Sequence, residues 1–257
     1  MKSLAISALA LTVGVAQTAN ATDASLAFIS CPTVRDTSSV PCWLAEFEGQ
    51  LYYLGIQTDV SADFIPPSLG HKVLVEGTVS GDREICGGKV LEPVVISVLP
   101  ELAPECHTML MAEDRYELPF AAPRPPGPSM GRLAFTPPPP PPPPVAPFPE
   151  KTFTIAYDFD RMVGFQTPRF LSPALQYARL VNAKRVEITG YRGAVQLTDA
   201  ELYSEQANIA QTRADQIARL LQGAGLTEPE YVVRAENTAE VGGPELRKVT
   251  IRILPGD

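Results

Sequence analysis

Two aspartates that stand two residues apart, Asp158 and Asp160, form the pair in this sequence whose spacing suits acid–base chemistry. They end an apolar stretch that starts at Thr152 and predicts a strand, and side chains at alternate positions of a strand share a face. Two carboxylates on one face can act as general acid and general base. The alternative is a structural role for both aspartates.

Other catalytic residues are scarce. The sequence has two histidines, His71 and His107, and neither belongs to an H-E-x-x-H motif. The G-x-S-x-G, phosphate-loop and dinucleotide-binding patterns are also missing from it. His71 follows Gly70 just before a predicted strand, where a surface turn residue is expected. The sequence therefore predicts a protein without catalytic residues and without a cofactor.

The N-terminus has the pattern of a secretory signal peptide. Lys2 supplies the positive charge, an apolar stretch runs from Leu4 to Ala16, and Ala19-Asn-Ala21 has the small-x-small pattern of a cleavage site. We expect residues 1–21 to be removed on export into an oxidising compartment. A membrane anchor is the alternative, but the apolar stretch is short for one.

The four cysteines, Cys31, Cys42, Cys86 and Cys106, all lie in the first half of the chain. An even number in an exported domain predicts two disulfides, for which three pairings exist. Proximity in sequence favours Cys31–Cys42 and Cys86–Cys106. A zinc site is the alternative, but the sequence has no C-x-x-C pair and no nearby histidine pair, so we expect no metal.

Composition divides the rest of the chain into three parts. Residues 119–149 hold 15 of the 27 prolines, which predicts a polyproline II spacer between domains at 22–118 and 150–257. A docking site for a proline-binding module is the alternative for this segment. Acidic residues outnumber basic ones by 15 to 5 in residues 22–120 and by 14 to 13 in residues 150–257. A net charge of −8 argues against a nucleic-acid partner, and no apolar run beyond the signal peptide is long enough to span a membrane.

The first domain is predicted to be all-β. Residues 43–48 and 51–56 flank a Gly-Gln turn in a hairpin pattern, and further alternating stretches follow. About five short strands favour a small closed barrel, and the Val-x-Val-x-Gly-x-Val rhythm resembles oligonucleotide/oligosaccharide-binding (OB) folds. Trp43, Tyr52 and Tyr53 would suit a platform for a carbohydrate or a peptide, or the core, and we expect the core.

The second domain is predicted to follow the order βαβαββ, which makes the protein α+β. Ser172 and Pro173 suit a helix start, with Ser172 as the N-cap, and Asp199 suits the N-cap of a longer helix that Gly223 ends. Strands are expected at residues 152–159, 185–189, 231–234 and 249–253. Both helices would pack on one face of a single sheet.

Four short motifs of this domain occur in a recognisable order. They are Tyr157-Asp-Phe-Asp160, Val186-Glu-Ile-Thr-Gly190, Ile209-Ala-Gln-Thr-Arg213-Ala214 and Leu246-Arg-Lys-Val249. In this order they resemble the F-x-F-D strand, the second strand, the L-S-x-x-R-A helix and the N-R-R-V strand of the OmpA-like C-terminal domain, the peptidoglycan-associating family of Gram-negative envelope proteins. The resemblance covers residues 150–257 and implies a structural role for Asp158 and Asp160.

The resemblance implies that the guanidinium of Arg213 faces a cleft and grips a carboxylate of diaminopimelate in the peptidoglycan stem peptide. A guanidinium suits this role because it forks onto a carboxylate. The family's G-H-T-D motif, whose aspartate takes the ammonium, is replaced by Gly190-Tyr191-Arg192-Gly193, so glycine stands at the aspartate position. Restoring that carboxylate by Gly193→Asp is expected to strengthen binding.

Three further residues are candidate ligands on the same grounds: Tyr191, Arg192 and, in the closing motif, Arg247. Asp199 lies in an insertion ahead of the Arg213 helix and would be a substitute carboxylate, although the helix N-cap is its expected role.

Together these expectations describe a non-enzymatic periplasmic protein, free or held at the outer membrane, that associates with peptidoglycan through its second domain. The alternative is an interaction or scaffold module that has lost peptidoglycan binding. Such a module would pair with another envelope protein, for which the acidic first domain is a candidate surface.

Overall fold

The structure is a computed structural model that describes residues 25–56, 64–118, 146–162 and 170–256. The predicted signal peptide and residues 119–145 of the predicted linker lie outside these ranges. The first part contains the strands β1 (Ser25–Ser30), β2 (Pro32–Thr37), β3 (Cys42–Phe47), β4 (Gln50–Ile56), β5 (His71–Ile85), β6 (Gly88–Leu102) and β7 (Met109–Glu113). The second part contains β8 (Lys151–Ala156), α1 (Ser172–Leu180), β9 (Arg185–Gln196), β10 (Leu202–Ser204), α2 (Ile209–Gly223), β11 (Glu230–Val241), a 3-10 turn (Pro244–Leu246) and β12 (Lys248–Leu254).

The strands of the first part form one sheet in the order β1-β5-β6-β4-β3-β2-β7. The predicted hairpin is confirmed: β3 and β4 pair antiparallel around Glu48 and Gly49, whose φ angles of 51° and 75° suit a tight turn. Cys31 alone separates β1 from β2, so one stretch of chain pairs with β5 at one end and with β3 at the other. Buried side chains such as Phe28 and Leu54 form the core that this arrangement encloses.

The sheet order decides the disulfide pairing. The two predicted disulfides exist, but the favoured pairing is wrong, because the bonds join Cys31 to Cys106 and Cys42 to Cys86. The paired Cα atoms are 4.9 Å and 6.5 Å apart, respectively. Neighbours in a sheet with crossovers are not neighbours in sequence, so proximity along the chain is a poor guide to pairing.

The second part forms a five-stranded sheet around β9. This strand pairs antiparallel with β12 and parallel with β11, its end pairs antiparallel with β10, and β8 lies on the far side of β12. Both helices contribute to the core, α1 through Ala178 and α2 through Ile217 and Leu221. The small side chains on both helices let them approach the strands closely.

The predicted α+β class and the OmpA-like βαβαββ order are wrong. Strands make up 52% of the described residues and helices 14%, in two sheets. The order in the second part is βαββαββ, because residues predicted to form an inserted loop extend β9 to Gln196 and add β10. The first sheet has seven strands, more than the five or so expected of an OB-like barrel. Short added strands such as β10 have no sequence pattern that distinguishes them from a loop.

Two predicted helix caps are also wrong. Helix α1 has Leu171 as its N-cap, and Ser172 is its first helical residue. Helix α2 begins at Ile209, far beyond Asp199, whose carboxylate accepts the backbone N–H of Glu201 at 3.0 Å in a turn. The predicted end of this helix at Gly223 is confirmed.

The two parts pack against each other through a surface that we call the inter-sheet interface. Its apolar centre joins side chains from both parts, namely Leu74, Leu99, Phe159, Val195 and Leu197. The backbone of Ala27 exchanges two hydrogen bonds with Thr198, of 2.8 Å and 3.0 Å, and the N–H of Phe159 donates to the buried hydroxyl of Ser97 at 2.9 Å. The parts are therefore in direct contact rather than held apart as predicted.

Candidate functional site

Arg213, the residue on which the peptidoglycan hypothesis depends, is completely buried in the second turn of α2. Its Nη2 and Nη1 atoms donate to the two carboxylate oxygens of Glu205 at 2.7 Å and 3.2 Å. Nε donates to the backbone carbonyl of Arg161 at 2.9 Å, and Nη2 also donates to that of Asp158 at 3.1 Å. The guanidinium also lies over the ring of Tyr157, 4.6 Å from its centre. The arginine is held from several sides by its own chain.

Glu205 is equally buried, and its carboxylate is fully engaged. Besides the two bonds from Arg213, Oε2 accepts the backbone N–H of Gly193 at 2.8 Å and Oε1 accepts that of Asp160 at 3.0 Å. We call Arg213, Glu205 and the backbone groups hydrogen-bonded to either side chain the arginine cradle. The expectation that Arg213 faces a cleft open to a ligand is wrong, because an internal acid fills that position.

The added strand explains how Glu205 reaches the cradle. Strand β10 pairs with the end of β9 in a register that sets Ser204 opposite Ala194. Glu205 follows directly, and its backbone N–H donates to the carbonyl of Gly193 at 3.1 Å. The inserted segment thus places the carboxylate between β9 and α2.

Gly193, which stands at the family's aspartate position, has no room for a side chain. A Cβ added there would lie 2.9 Å from Cγ of Arg247 and 3.6 Å from Oε2 of Glu205. A carboxylate at this position would clash and would face another carboxylate. The expected gain in binding from Gly193→Asp is therefore not supported by the geometry.

Arg247 is buried in the inter-sheet interface rather than exposed to a ligand. Its Nη2 donates to the carboxylate of Glu76 on β5, and its guanidinium lies 5.6 Å from the ring centre of Phe159. Burial raises the pKa of Glu76, although the hydrogen bond and charge of Arg247 oppose this shift. Arg247 therefore ties the second part of the chain to the first.

Tyr191 and Arg192 are the partly exposed members of the predicted ligand set. The ammonium of Lys248 lies 5.4 Å from the ring centre of Tyr191. Arg192 donates from Nε to the backbone carbonyl of Glu205 at 2.6 Å and from Nη1 to that of Asn237 at 3.3 Å. Arg192 thus supports the segment that carries Glu205.

Asp158 and Asp160 do not form a paired-carboxylate site on a strand, because β8 ends at Ala156. Asp158 serves the cradle through its carbonyl, as described above. The carboxylate of Asp160 accepts the N–H of Gln206 at 2.7 Å, and burial raises its pKa despite this bond. These contacts agree with the structural role that the resemblance favoured.

The remaining candidates also have structural surroundings. Nδ1 of His71 lies 2.9 Å from the carbonyl of Leu99, to which it donates. Tyr52 is buried in the first core, and Trp43 and Tyr53 are partly buried against apolar clusters, as the core interpretation predicted.

Within residues 25–56, 64–118, 146–162 and 170–256, no three side chains of histidine, cysteine, aspartate or glutamate are grouped so that they could hold a metal ion. In the same part of the chain, neither helix is long and apolar enough to cross a membrane.

The sequence does not predict Glu205 and Glu76, the partners of the two buried arginines. Glu205 lies eight residues before Arg213, with no motif around it, and Glu76 lies 171 residues before Arg247. The carboxylate that reaches Arg213 is that of Glu205 and not that of Asp199, the predicted substitute. No pattern in the sequence separates Glu205 from its acidic neighbours.

Comparisons of this chain with protein-family models, with curated proteins and with solved structures find no match. The role of the cradle is therefore inferred from its own geometry, in which the carboxylate of Glu205 already pairs with Arg213.

Proposed function

We propose that this protein is a non-enzymatic cell-envelope interaction module, exported by its signal peptide, that has no peptidoglycan-binding activity at Arg213. The observation that carries the proposal is the carboxylate of Glu205 on both terminal nitrogens of the buried Arg213. Glu205 holds the position that a stem-peptide carboxylate would need.

Competition with Glu205 makes external binding unfavourable. A ligand would have to displace a buried carboxylate that accepts four hydrogen bonds. Breaking a buried ion pair costs about 3–5 kcal/mol, which lowers affinity by roughly two to four orders of magnitude.

Surface features of the first part support protein interaction. Large apolar side chains such as Ile65 and Leu102 are exposed there, at 64% and 79%. Acidic side chains predominate in the same part, which favours a partner with basic groups around an apolar centre. The two disulfides fit an oxidising compartment.

Sedimentation with purified peptidoglycan sacculi tests the proposal. We expect the full mature chain to stay in the supernatant, together with Tyr191→Ala and Arg192→Ala variants, which change the partly exposed candidates. If the wild-type chain pellets with the sacculi and either variant pellets less, the proposal is overturned in favour of peptidoglycan association.

Photocrosslinking in the envelope tests the interaction itself. A photoreactive residue at Leu102 should give a discrete protein adduct, whereas one at Leu220, exposed on α2, serves as the matched control. Adducts at neither position, or equally at both, would contradict a specific surface on the first part.

A further inference from the structure

Strand β7 carries two methionines that are exposed to solvent. Met109 is 67% exposed and Met111 is 87% exposed, although methionine is among the residue types most often buried. Packing in the core does not explain why two methionines are exposed on this five-residue strand.

The geometry of β7 puts both thioethers on one face. Leu110, between them, packs inward against the cluster around Cys42 and Cys86, so its two neighbours point outward. Alternate residues on a strand are about 7 Å apart, and each methionine has three rotatable side-chain bonds. Both sulfur atoms can therefore approach one small ion.

Both histidines of the chain lie beside Gly70. His107 is exposed, and a Cβ built on Gly70 would lie 3.3 Å from its Cε1 atom. His71 follows Gly70 directly, but its Nδ1 donates to the carbonyl of Leu99. His107 precedes Met109 by two residues, so it is the imidazole that the chain places next to the two thioethers.

We propose that Met109, Met111 and His107 form a binding site for Cu(I). Thioether and imidazole ligands select a soft monovalent ion over Mg²⁺, Ca²⁺ or Mn²⁺, which prefer oxygen ligands. All four cysteines are in disulfides, so no thiolate competes for the ion. The site adds to the proposed function and does not depend on it.

Titration of the full, oxidised chain tests the site. Cu(I) is delivered under ascorbate against a chromophoric Cu(I) chelator, and Ag(I) in chloride-free buffer is the redox-inert probe. We expect one ion per chain, and a loss of affinity of at least about tenfold in each of Met109→Leu, Met111→Leu and His107→Ala. The leucine variants keep size and apolar character, so folding is preserved.

Two matched controls sharpen the result. Met162→Leu changes a methionine of the second part, and His71→Ala changes the other imidazole; neither should alter affinity. In NMR spectra, Ag(I) should shift the methyl signals of Met109 and Met111 but not that of Met162. Absence of binding, or binding that survives both Met109→Leu and Met111→Leu, would overturn the proposal and leave the exposed methionines as a protein-docking edge.

Discussion

The carboxylate of Glu205 and the guanidinium of Arg213 face each other in a bidentate pair, 2.7 Å apart at the closer contact, with neither side chain reaching solvent. The backbone amides of Gly193 and Asp160 complete the arrangement. A site of this kind stabilises the fold when the internal acid is present, and it becomes a binding site only when that acid is removed.

The first prediction concerns the loss of this acid. Glu205→Gln leaves the charge of Arg213 buried without its counterion and should lower the free energy of unfolding by about 3–5 kcal/mol. Urea unfolding near neutral pH measures the change. Glu201→Gln, which alters an exposed acid nearby, is the control and should stay within about 0.5 kcal/mol of wild type.

A double variant separates pairing from packing. Replacing both members by apolar residues, Glu205→Leu with Arg213→Met, should cost less than the sum of the two single changes, because no unpaired charge remains. Additive losses would show that the two side chains do not stabilise each other.

The second prediction reverses the sequence-based one for Gly193. Gly193→Asp should destabilise the protein and leave sedimentation with sacculi unchanged, because its side chain would meet Cγ of Arg247 and the carboxylate of Glu205. Gly193→Ala introduces the contact without the charge and should cost less. An increase in sacculus binding by Gly193→Asp would contradict the arrangement of the cradle.

The third prediction is a pH dependence at the inter-sheet interface. Burial raises the pKa of Glu76 above its ordinary value of 4.5, Arg247 opposes the shift, and Glu245 and Glu205 add to it. The native state therefore binds this proton more tightly than the unfolded chain does. The stabilisation that protonated Glu76 contributes is present below the pKa of this group in the unfolded chain. It is lost as pH rises through the pKa of Glu76 in the folded protein.

Comparison with Glu76→Gln isolates this effect. The unfolding free energy of wild type minus that of the variant should fall as pH rises through this window, measured by urea unfolding at several pH values. A difference that stays constant or rises with pH would mean that Arg247 dominates over burial.

The fourth prediction concerns Tyr157, whose hydroxyl is buried and, within the described residues, lacks a hydrogen-bond partner. Burial raises its pKa to about 12, and the charge of Arg213 limits the rise. The stabilisation that the protonated hydroxyl of Tyr157 contributes is fully present below about pH 10. It declines as pH rises toward the pKa of this group in the folded protein. Tyr157→Phe should lose less stability than wild type between neutral pH and about pH 11.

The same variant should be neutral or slightly stabilising near neutral pH, by up to about 1 kcal/mol, because the ring over Arg213 is kept and the unpaired hydroxyl is removed. A marked loss of stability near neutral pH would indicate a partner for the hydroxyl.

Local chemistry explains what the sequence predicted well. The turn predicted at Gly49-Gln50 lies one residue earlier, at Glu48 and Gly49, and both of these residues have a positive φ. The end of α2 at Gly223 is followed by Gly225, whose φ is +87°. Both features depend on short-range requirements of the backbone. The existence of two disulfides followed from the number of cysteines and the signal peptide.

Long-range pairing explains the errors. The disulfide partners lie 75 and 44 residues apart, and Glu76 reaches Arg247 only because the two sheets meet. Strand β10 has three residues and no distinctive composition, yet it decides whether Arg213 is open or filled. Such contacts depend on the assembled sheets, and motif matching cannot supply them.

The inter-sheet interface has a consequence for how the chain behaves when cut. It joins the two parts through an apolar centre, the bonds between Ala27 and Thr198 and the pair of Arg247 with Glu76. Because the two parts belong to one chain, each is held at a high effective concentration near the other, so these contacts need not supply the affinity of two separate molecules. A cut in the chain between the two parts would remove that advantage and weaken their association.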